Sequence, residues 1–439
     1  MECGFASRVI TPPVGTMLHG FGNRDHGATG ALDDQMVSCA AFSCGDQAAL
    51  LVTADILSFS RGEVPRIKRE ISHAIPVPPD GIMLAASHTH SGPAVSDLQG
   101  MGEIDREYGS SLRQAIVATA SAAFHHRVPA RLAVTTRAVP GIGAVREGPG
   151  AGSDAPNDTL TVLQILHAET DALIGLIYTY GCHPVTLGNQ NYQLSAEYPG
   201  VVRRIVRDRT GIEPFFLLGA AGDVNPSGMV RGAADSGGEG EMRRIGESLA
   251  GAVLSMITHE SPGVSPVAAP VDRIRAACTH VPLPTVSLTR RELRESDRET
   301  TDAVPSSGKF RAMRARWTAR LAAMLDAGEC PDHVDVPVQV FRIGDAVLIG
   351  VGAELFSQVG SDIVAEIRRL TGPKPVVLAT CVNGCTGYVC SHEAYESAPY
   401  GARWSAYWYD HPPLSPDADR ALVTGIASVV AALWQEDPV

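Results

Sequence analysis

The sequence predicts an α/β fold: a large mixed β-sheet core flanked by helices. Three observations predict it. Short apolar segments end abruptly in bursts of Gly, Pro and polar residues, and they alternate with stretches of helical periodicity. The 439 residues, 44% apolar and 19% charged, can also bury a sizeable core.

The segments that read as buried strands are 48–54 (AALLVTA), 82–86 (IMLAA), 172–180 (ALIGLIYTY), 214–218 (PFFLL), 346–351 (AVLIGV) and 375–382 (PVVLATCV). Helices are expected at 105–124, at 199–209 with Pro199 in the first turn, and at 241–257, 355–370 and 417–434. Residues 285–328 are charged and helix-prone, and read as a helical insertion before a strand near 336–343. A solvated hairpin is the plain reading of it, and a lid is the other. No internal repeat or low-complexity tract divides the chain, so residues 1–439 are expected to form a single domain.

Composition limits the function. A formal charge of −12 repels phosphate backbones and anionic lipid, and no basic run offsets it, so nucleic acid is not an expected partner. The start, MECGFASRVITPPVG, lacks a charged head followed by an apolar stretch, and no apolar run is long enough to span a bilayer. Nine cysteines at irregular spacing fit reduced thiols. These features together predict a cytoplasmic protein without integral membrane association. The loop GIGAVREGPGAG (141–152) lacks the phosphate-cradling pattern, so a nucleotide site is not expected.

In open α/β sheets, ligands gather beyond the carboxyl ends of the strands. Here those positions carry metal-ligating types: His88 and His90 after 82–86, His183 after 172–180, Asp223 and Asn225 after 214–218, Glu354 after 346–351 and Tyr388 after 375–382. His88 and His90 lie two apart, so in an extended segment both rings face one side. One can bind a metal and the other can stand beside its open position. Histidines with a carboxylate leave room for a water, whose pKa zinc lowers to about 7, which is a hydrolytic arrangement. Cys381, Cys385 and Cys390 have no paired cluster and read as small buried thiols. His125 and His126 would diverge on a helix surface. No G-x-S-x-G follows a strand, which argues against a serine hydrolase.

At these residues the chain resembles the neutral/alkaline, non-lysosomal ceramidase family, in its catalytic N-terminal domain. The matching blocks are SHTHSGP (87–93), GCHPVTLG (181–188), SAEYPG (195–200), GAAGDVNP (219–226), GAELF (352–356) and TGYVCSHEAYESAPYGA (386–402), in the family's order across most of the chain. The resemblance implies one Zn2+ per chain held by His88, His183, Glu354 and Tyr388. It also implies that His90, Arg146 and Tyr400 surround the reacting carbonyl, with Arg146 matched only through GAVREG. Read from strand ends alone, Tyr388 is a nearby hydrogen-bonding phenol.

The chain departs from the family at several points. Asn225 stands where the family's block usually carries a serine, and is a candidate site residue for that reason. Neither a C-terminal β-sandwich after the helix at 417–434 nor a signal peptide before the domain is expected from the sequence. The segment YGARWSAYWYDHPP concentrates Trp404, Tyr407, Trp408 and Tyr409, which either pack internally, join copies into a homo-oligomer or line the substrate pocket.

The expected function is therefore zinc-dependent hydrolysis of a linear amide in a small or soluble N-acyl substrate rather than membrane ceramide. The alternatives are acyl transfer to an amine or ester or lactone cleavage on the same zinc site, and a metal-binding pseudoenzyme without turnover.

Overall fold

A computed structural model of the chain describes residues 1–153, 157–231, 237–257, 271–303 and 308–435; the link 304–307 within the expected insertion lies outside them. The larger sheet has eight strands: β1 (Glu2–Val9), β2 (Met36–Cys44), β3 (Gln47–Ala54), β4 (Ile82–Ala86), β5 (Val128–Ala138), β6 (Thr159–His167), β7 (Leu173–Tyr180) and β8 (Pro214–Leu218). Their order is β8-β7-β6-β5-β1-β2-β3-β4. Pairing is antiparallel in the interior and parallel at both edges, β3 with β4 and β7 with β8. The edge strands β4 and β8 are five residues each and buried throughout, which is why they read as unbroken apolar runs.

A second sheet holds β9 (Ile274–Pro284), β10 (His333–Ile343), β11 (Ala346–Val351) and β12 (Val376–Ala379), with β11 and β12 parallel. The turn after β12 joins the two sheets. Thr380 N donates to Leu218 O at the end of β8, Ala86 N donates to Cys381 O, and Asn383 N donates to Leu84 O in β4. The Asn383 side chain accepts from Leu84 N as well, at 3.0 Å. Both edges of the larger sheet are thereby stitched to one turn, which brings the carboxyl ends of β4, β7, β8 and β11 to a common place.

Helices cover the sheets: α1 (Val64–Ala74), α2 (Arg106–His125), α3 (Glu197–Thr210), α4 (Gly238–Ile257), α5 (Arg290–Ala303), α6 (Gly308–Ala327), α7 (Ser357–Thr371) and α8 (Ala418–Gln435). α2 shows the local logic. Asp105 caps it by accepting from Tyr108 N, and Tyr108, Leu112, Ile116, Ala120 and Ala123 recur at helical spacing as its buried stripe. His125 and His126 fall exposed at its end, as expected.

The expected strands and helices are present, with ends displaced by a few residues. Sequence reading missed β1, β2, β5, β6, β9 and α1. In β5, VPARLAVTTRA, apolar residues alternate with Arg and Thr, so no continuous run marks it. The loop 141–152 holds a short strand, Gly143–Val145, paired with Val224–Pro226. The insertion is the expected helical pair, α5 and α6, but it is not merely solvated. Met313, Trp317 and Leu321 of α6 are buried, and the Phe310 ring meets Trp408 edge-on at 5.2 Å. Among the described residues no helix is long and apolar enough to cross a membrane. All nine cysteines are free thiols, with Cys381, Cys385 and Cys390 buried.

Candidate metal centre

His88, His90, His183 and Glu354 each sit just past a strand of the two sheets, whereas Tyr388 lies in a short ladder with Glu354 and Tyr400 opens a helical turn. The segment carrying His88 and His90 is not extended, as expected from the spacing; it is an irregular loop in which His88 has a left-handed backbone, φ 65°. That conformation costs energy in a non-glycine residue and is held by two backbone bonds, Ser87 N to Ala54 O and His88 N to Ile56 O. The two rings do converge, with centroids 5.1 Å apart, but through this turn rather than through strand alternation.

Three buried side chains meet. His88 Nε2 lies 3.3 Å and His183 Nε2 2.9 Å from the same oxygen, Oε2 of Glu354. The other imidazole nitrogens are committed: His88 Nδ1 donates to Leu57 O at 2.9 Å and His183 Nδ1 to Ala221 O at 2.6 Å. A carbonyl can only accept, so Nδ1 carries a proton on both rings, and in the neutral imidazoles both Nε2 lone pairs face the carboxylate. Three such acceptors repel unless a proton or a metal cation lies between them. Tetrahedral ligands at zinc bond lengths stand about 3.3 Å apart, close to the separations found here. His88, His183 and Glu354 therefore fit one divalent cation.

Electrostatics follow from the same geometry. Burial opposes charge on Glu354, yet the facing imidazoles outweigh it and hold its carboxyl well below the usual range. Burial likewise opposes a proton on His88, but Glu354 lifts that imidazole above its ordinary value. His183 is pushed down to about 4, mainly by burial.

His90 completes a cluster whose ring nitrogens, with those of His88 and His183, lie within 4.8 Å of one another and can hold a metal ion. Both of its ring nitrogens are buried without a hydrogen-bond partner, and burial pushes its pKa well down. Phe21 packs on it at 4.9 Å. Gly20 makes this contact feasible: its φ is +94°, and a β-carbon there would lie 2.5 Å from His90 Nδ1.

Tyr388 pairs in parallel register with Glu354, so both side chains leave one face of this two-residue ladder. Its ring is 5.6 Å from that of Tyr400, and the Arg146 guanidinium lies 5.3 Å from each. Burial acts against charge on Arg146, but Tyr388, Glu147 and Tyr400 outweigh it and keep it protonated. Burial lifts the Tyr388 phenol well above its ordinary value and Tyr400 to about 12. Arg146 Nη2 donates to Gly222 O at 2.7 Å, while its Nε has no hydrogen-bond partner. Asn225 Oδ1 is also buried without one. His90, Arg146, Tyr400 and Asn225 are half-buried, whereas His88, His183, Glu354 and Tyr388 are buried.

The GAAGDVNP loop scaffolds the centre instead of supplying a carboxylate to it. Asp223 caps α7, accepting from Ser357 N at 2.6 Å and Ser357 Oγ at 2.8 Å. The loop's backbone accepts from His183 at Ala221 O and from Arg146 at Gly222 O, and Gly222 N donates to Leu355 O at 2.7 Å.

Sequence reasoning passed over three supporting residues. Arg24, buried, donates to His90 O at 2.7 Å and His19 O at 2.8 Å. Glu197, inside the SAEYPG block, accepts from Ser91 Oγ at 2.9 Å, Leu187 N at 3.2 Å and the Thr186 hydroxyl, tying the His90 loop to the His183 loop. Tyr409 donates to Oε1 of Glu354. Only Tyr409 left a signal, the aromatic density around it.

Comparison with known proteins bears on the fold. No protein-family model matches the sequence, and no curated protein does. A crystal structure of neutral ceramidase from Pseudomonas aeruginosa superposes with a TM-score of 0.76 at 17% identity, over 100% of this chain and 75% of that one. A structure described as ceramidase complexed with C2 gives 0.77 at 17% identity, over 100% and 76%. The chain has the ceramidase fold, as its sequence blocks led one to expect.

Proposed function

We propose that this chain is a zinc-dependent hydrolase that cleaves the amide bond of a small or soluble N-acyl substrate. The observation that carries the reading is the set of facing acceptors: two Nε2 atoms whose partner nitrogens are already committed, aimed at one carboxylate oxygen. His88, His183, Glu354 and Tyr388 would hold one Zn2+ per chain. The bound ion would supply a Lewis acid for the acyl carbonyl and a water acidified to about 7.

The chain's own groups do the rest. The phenol of Tyr388 stays protonated in its buried setting and joins the ligand set only when a cation offsets that burial. Arg146, anchored through Gly222 O, and Tyr400 beside it would donate to the carbonyl oxygen as negative charge develops, each worth about 3 kcal/mol. His90, with both ring nitrogens unpartnered beside the centre, would carry the proton to the leaving amine nitrogen. Asn225, whose buried Oδ1 has no partner, would offer that oxygen to a donor on the substrate.

A compact substrate suits the surroundings. Trp408, Tyr407 and Tyr409 are buried, and α6 packs Phe310 against Trp408, so the aromatic segment fills space beside the centre. Acyl transfer to an amine and ester or lactone cleavage would use the same donors; product analysis with and without added amine, on matched ester and amide substrates, separates them.

The test is the metal content of the purified protein beside His183→Ala. About one zinc in the parent and loss in the variant supports the reading, and turnover of N-acyl amides completes it. No zinc bound, even after addition, sinks it. Zinc without turnover of amides or esters leaves a metal-binding pseudoenzyme.

A further inference from the structure

The two oxygens of Glu354 face different partners. Oε2 meets His88 and His183, and Oε1 accepts the hydroxyl of Tyr409. A carboxylate free to rotate can offer a metal one oxygen or two; one whose second oxygen already holds a donor is fixed to one. Tyr409 is buried, and Cys385 Sγ at 3.9 Å is the other group at its hydroxyl. The phenol therefore has one strong acceptor, the metal-facing carboxylate.

The surrounding fold holds that phenol in place. Gly387, φ +109°, leaves room for the ring, since a β-carbon there would lie 3.1 Å from Tyr409 Cδ2. The short helix Ala406–Tyr409 ends at Asp410 in a left-handed conformation, φ 60°. From outside, α6 clamps the next residues: Trp317 Nε1 donates to His411 O at 3.2 Å, and Arg320 donates to Asp410 O at 2.6 Å while pairing with its carboxylate at 2.8 Å. The insertion thus acts as a buttress behind the centre.

We propose that Tyr409 is a positioning residue that fixes Glu354 to one-oxygen binding of the metal, with helix α6 holding Tyr409 against it. The inference rests on the metal reading above. It assigns a role to the aromatic segment that neither a substrate lining nor a contact between copies would give it.

The test is zinc affinity, measured by competition with a chelator, for the parent, Tyr409→Phe and Tyr407→Phe. Tyr409→Phe removes one oxygen and keeps the ring, and the melting temperature of metal-free protein checks that packing survives. Tyr407, buried against Trp408 at 4.4 Å between rings, is the control for packing alone. The expected result is about tenfold to hundredfold weaker zinc binding in Tyr409→Phe, with Tyr407→Phe like the parent. The visible spectrum of the cobalt-loaded protein should also change in Tyr409→Phe, as the freed oxygen adds to the coordination. Equal affinities and spectra in parent and Tyr409→Phe overturn the inference while leaving the metal reading intact, and so does equal loss in both variants. A parent that binds no zinc overturns both together.

Discussion

The carboxylate of Asp223 accepts both the backbone N–H and the hydroxyl of Ser357, at 2.6 and 2.8 Å, and so caps α7 from a different loop. Glu354 lies three residues before Ser357, so the cap fixes the segment that delivers the carboxylate. Asp223→Ala should lower stability by about 1–2 kcal/mol, the usual range for a lost cap, and weaken zinc binding as well. Urea unfolding of metal-free protein gives the first number and chelator competition the second. Lost stability with unchanged zinc affinity would separate the cap from the centre.

His183→Ala and His90→Ala should behave differently. The first removes an imidazole aimed at Glu354 and should abolish zinc retention. The second should leave about one zinc bound and lower kcat by 10²- to 10⁴-fold, the span for a positioned acid or base. Because one nitrogen of His90 lies within 4.8 Å of one on each of the other two histidines, zinc loss in His90→Ala is the decisive contrary result. It would make His90 a ligand and end its proton-transfer role.

Arg146→Ala and Tyr400→Phe each delete one donor from the site. Each should lower kcat/KM by about 10²-fold with zinc content unchanged. Arg146→Lys should not restore the rate, because the guanidinium holds Gly222 O through Nη2 while lying 5.3 Å from both the Tyr388 and Tyr400 rings, and an ammonium cannot hold both positions. Full recovery with lysine would reduce the role of Arg146 to charge alone.

The residues proposed to hold the metal at His88, His183 and Glu354 stood out because each follows a buried strand, where a polar residue interrupts an apolar run: IMLAA before His88, AVLIGV before Glu354. Their supports were not. Arg24 reaches His90 across 66 positions and Glu197 reaches Ser91 across 106, and no local pattern encodes such pairs. Asp223 shows a different limit. A carboxylate after a strand serves equally as ligand or as helix cap, and only the arrival of Ser357 decides. The paired histidines gave the right convergence through the wrong geometry, since strand alternation and a left-handed turn both place the rings on one side. The missed strand β5 mixes apolar residues with Arg and Thr, and the aromatic segment announced its density but not that Tyr409 would reach Glu354.

Acid should destabilise the metal-free protein through His19. This imidazole is buried, has only the Ser96 hydroxyl at 3.3 Å on Nδ1, and leaves Nε2 without a partner. Burial, with the neighbouring His88 and Arg24 charges adding to it, pushes its pKa down to about 3 from 6.5. The folded state then binds fewer protons than the unfolded chain between these values. The stability from keeping His19 neutral is fully present above about pH 6.5 and is lost as pH falls towards 3, by up to about 5 kcal/mol. Glu197 has the opposite sign: burial raises its carboxyl, so its contribution is present at low pH and lost as pH rises through the folded value. Urea midpoints of metal-free parent and His19→Gln between pH 7.5 and 4 isolate the histidine, because every other group is common to both. The parent should lose stability more steeply with falling pH than the variant; parallel profiles would mean that His19 takes up its proton in the folded state at an ordinary pH.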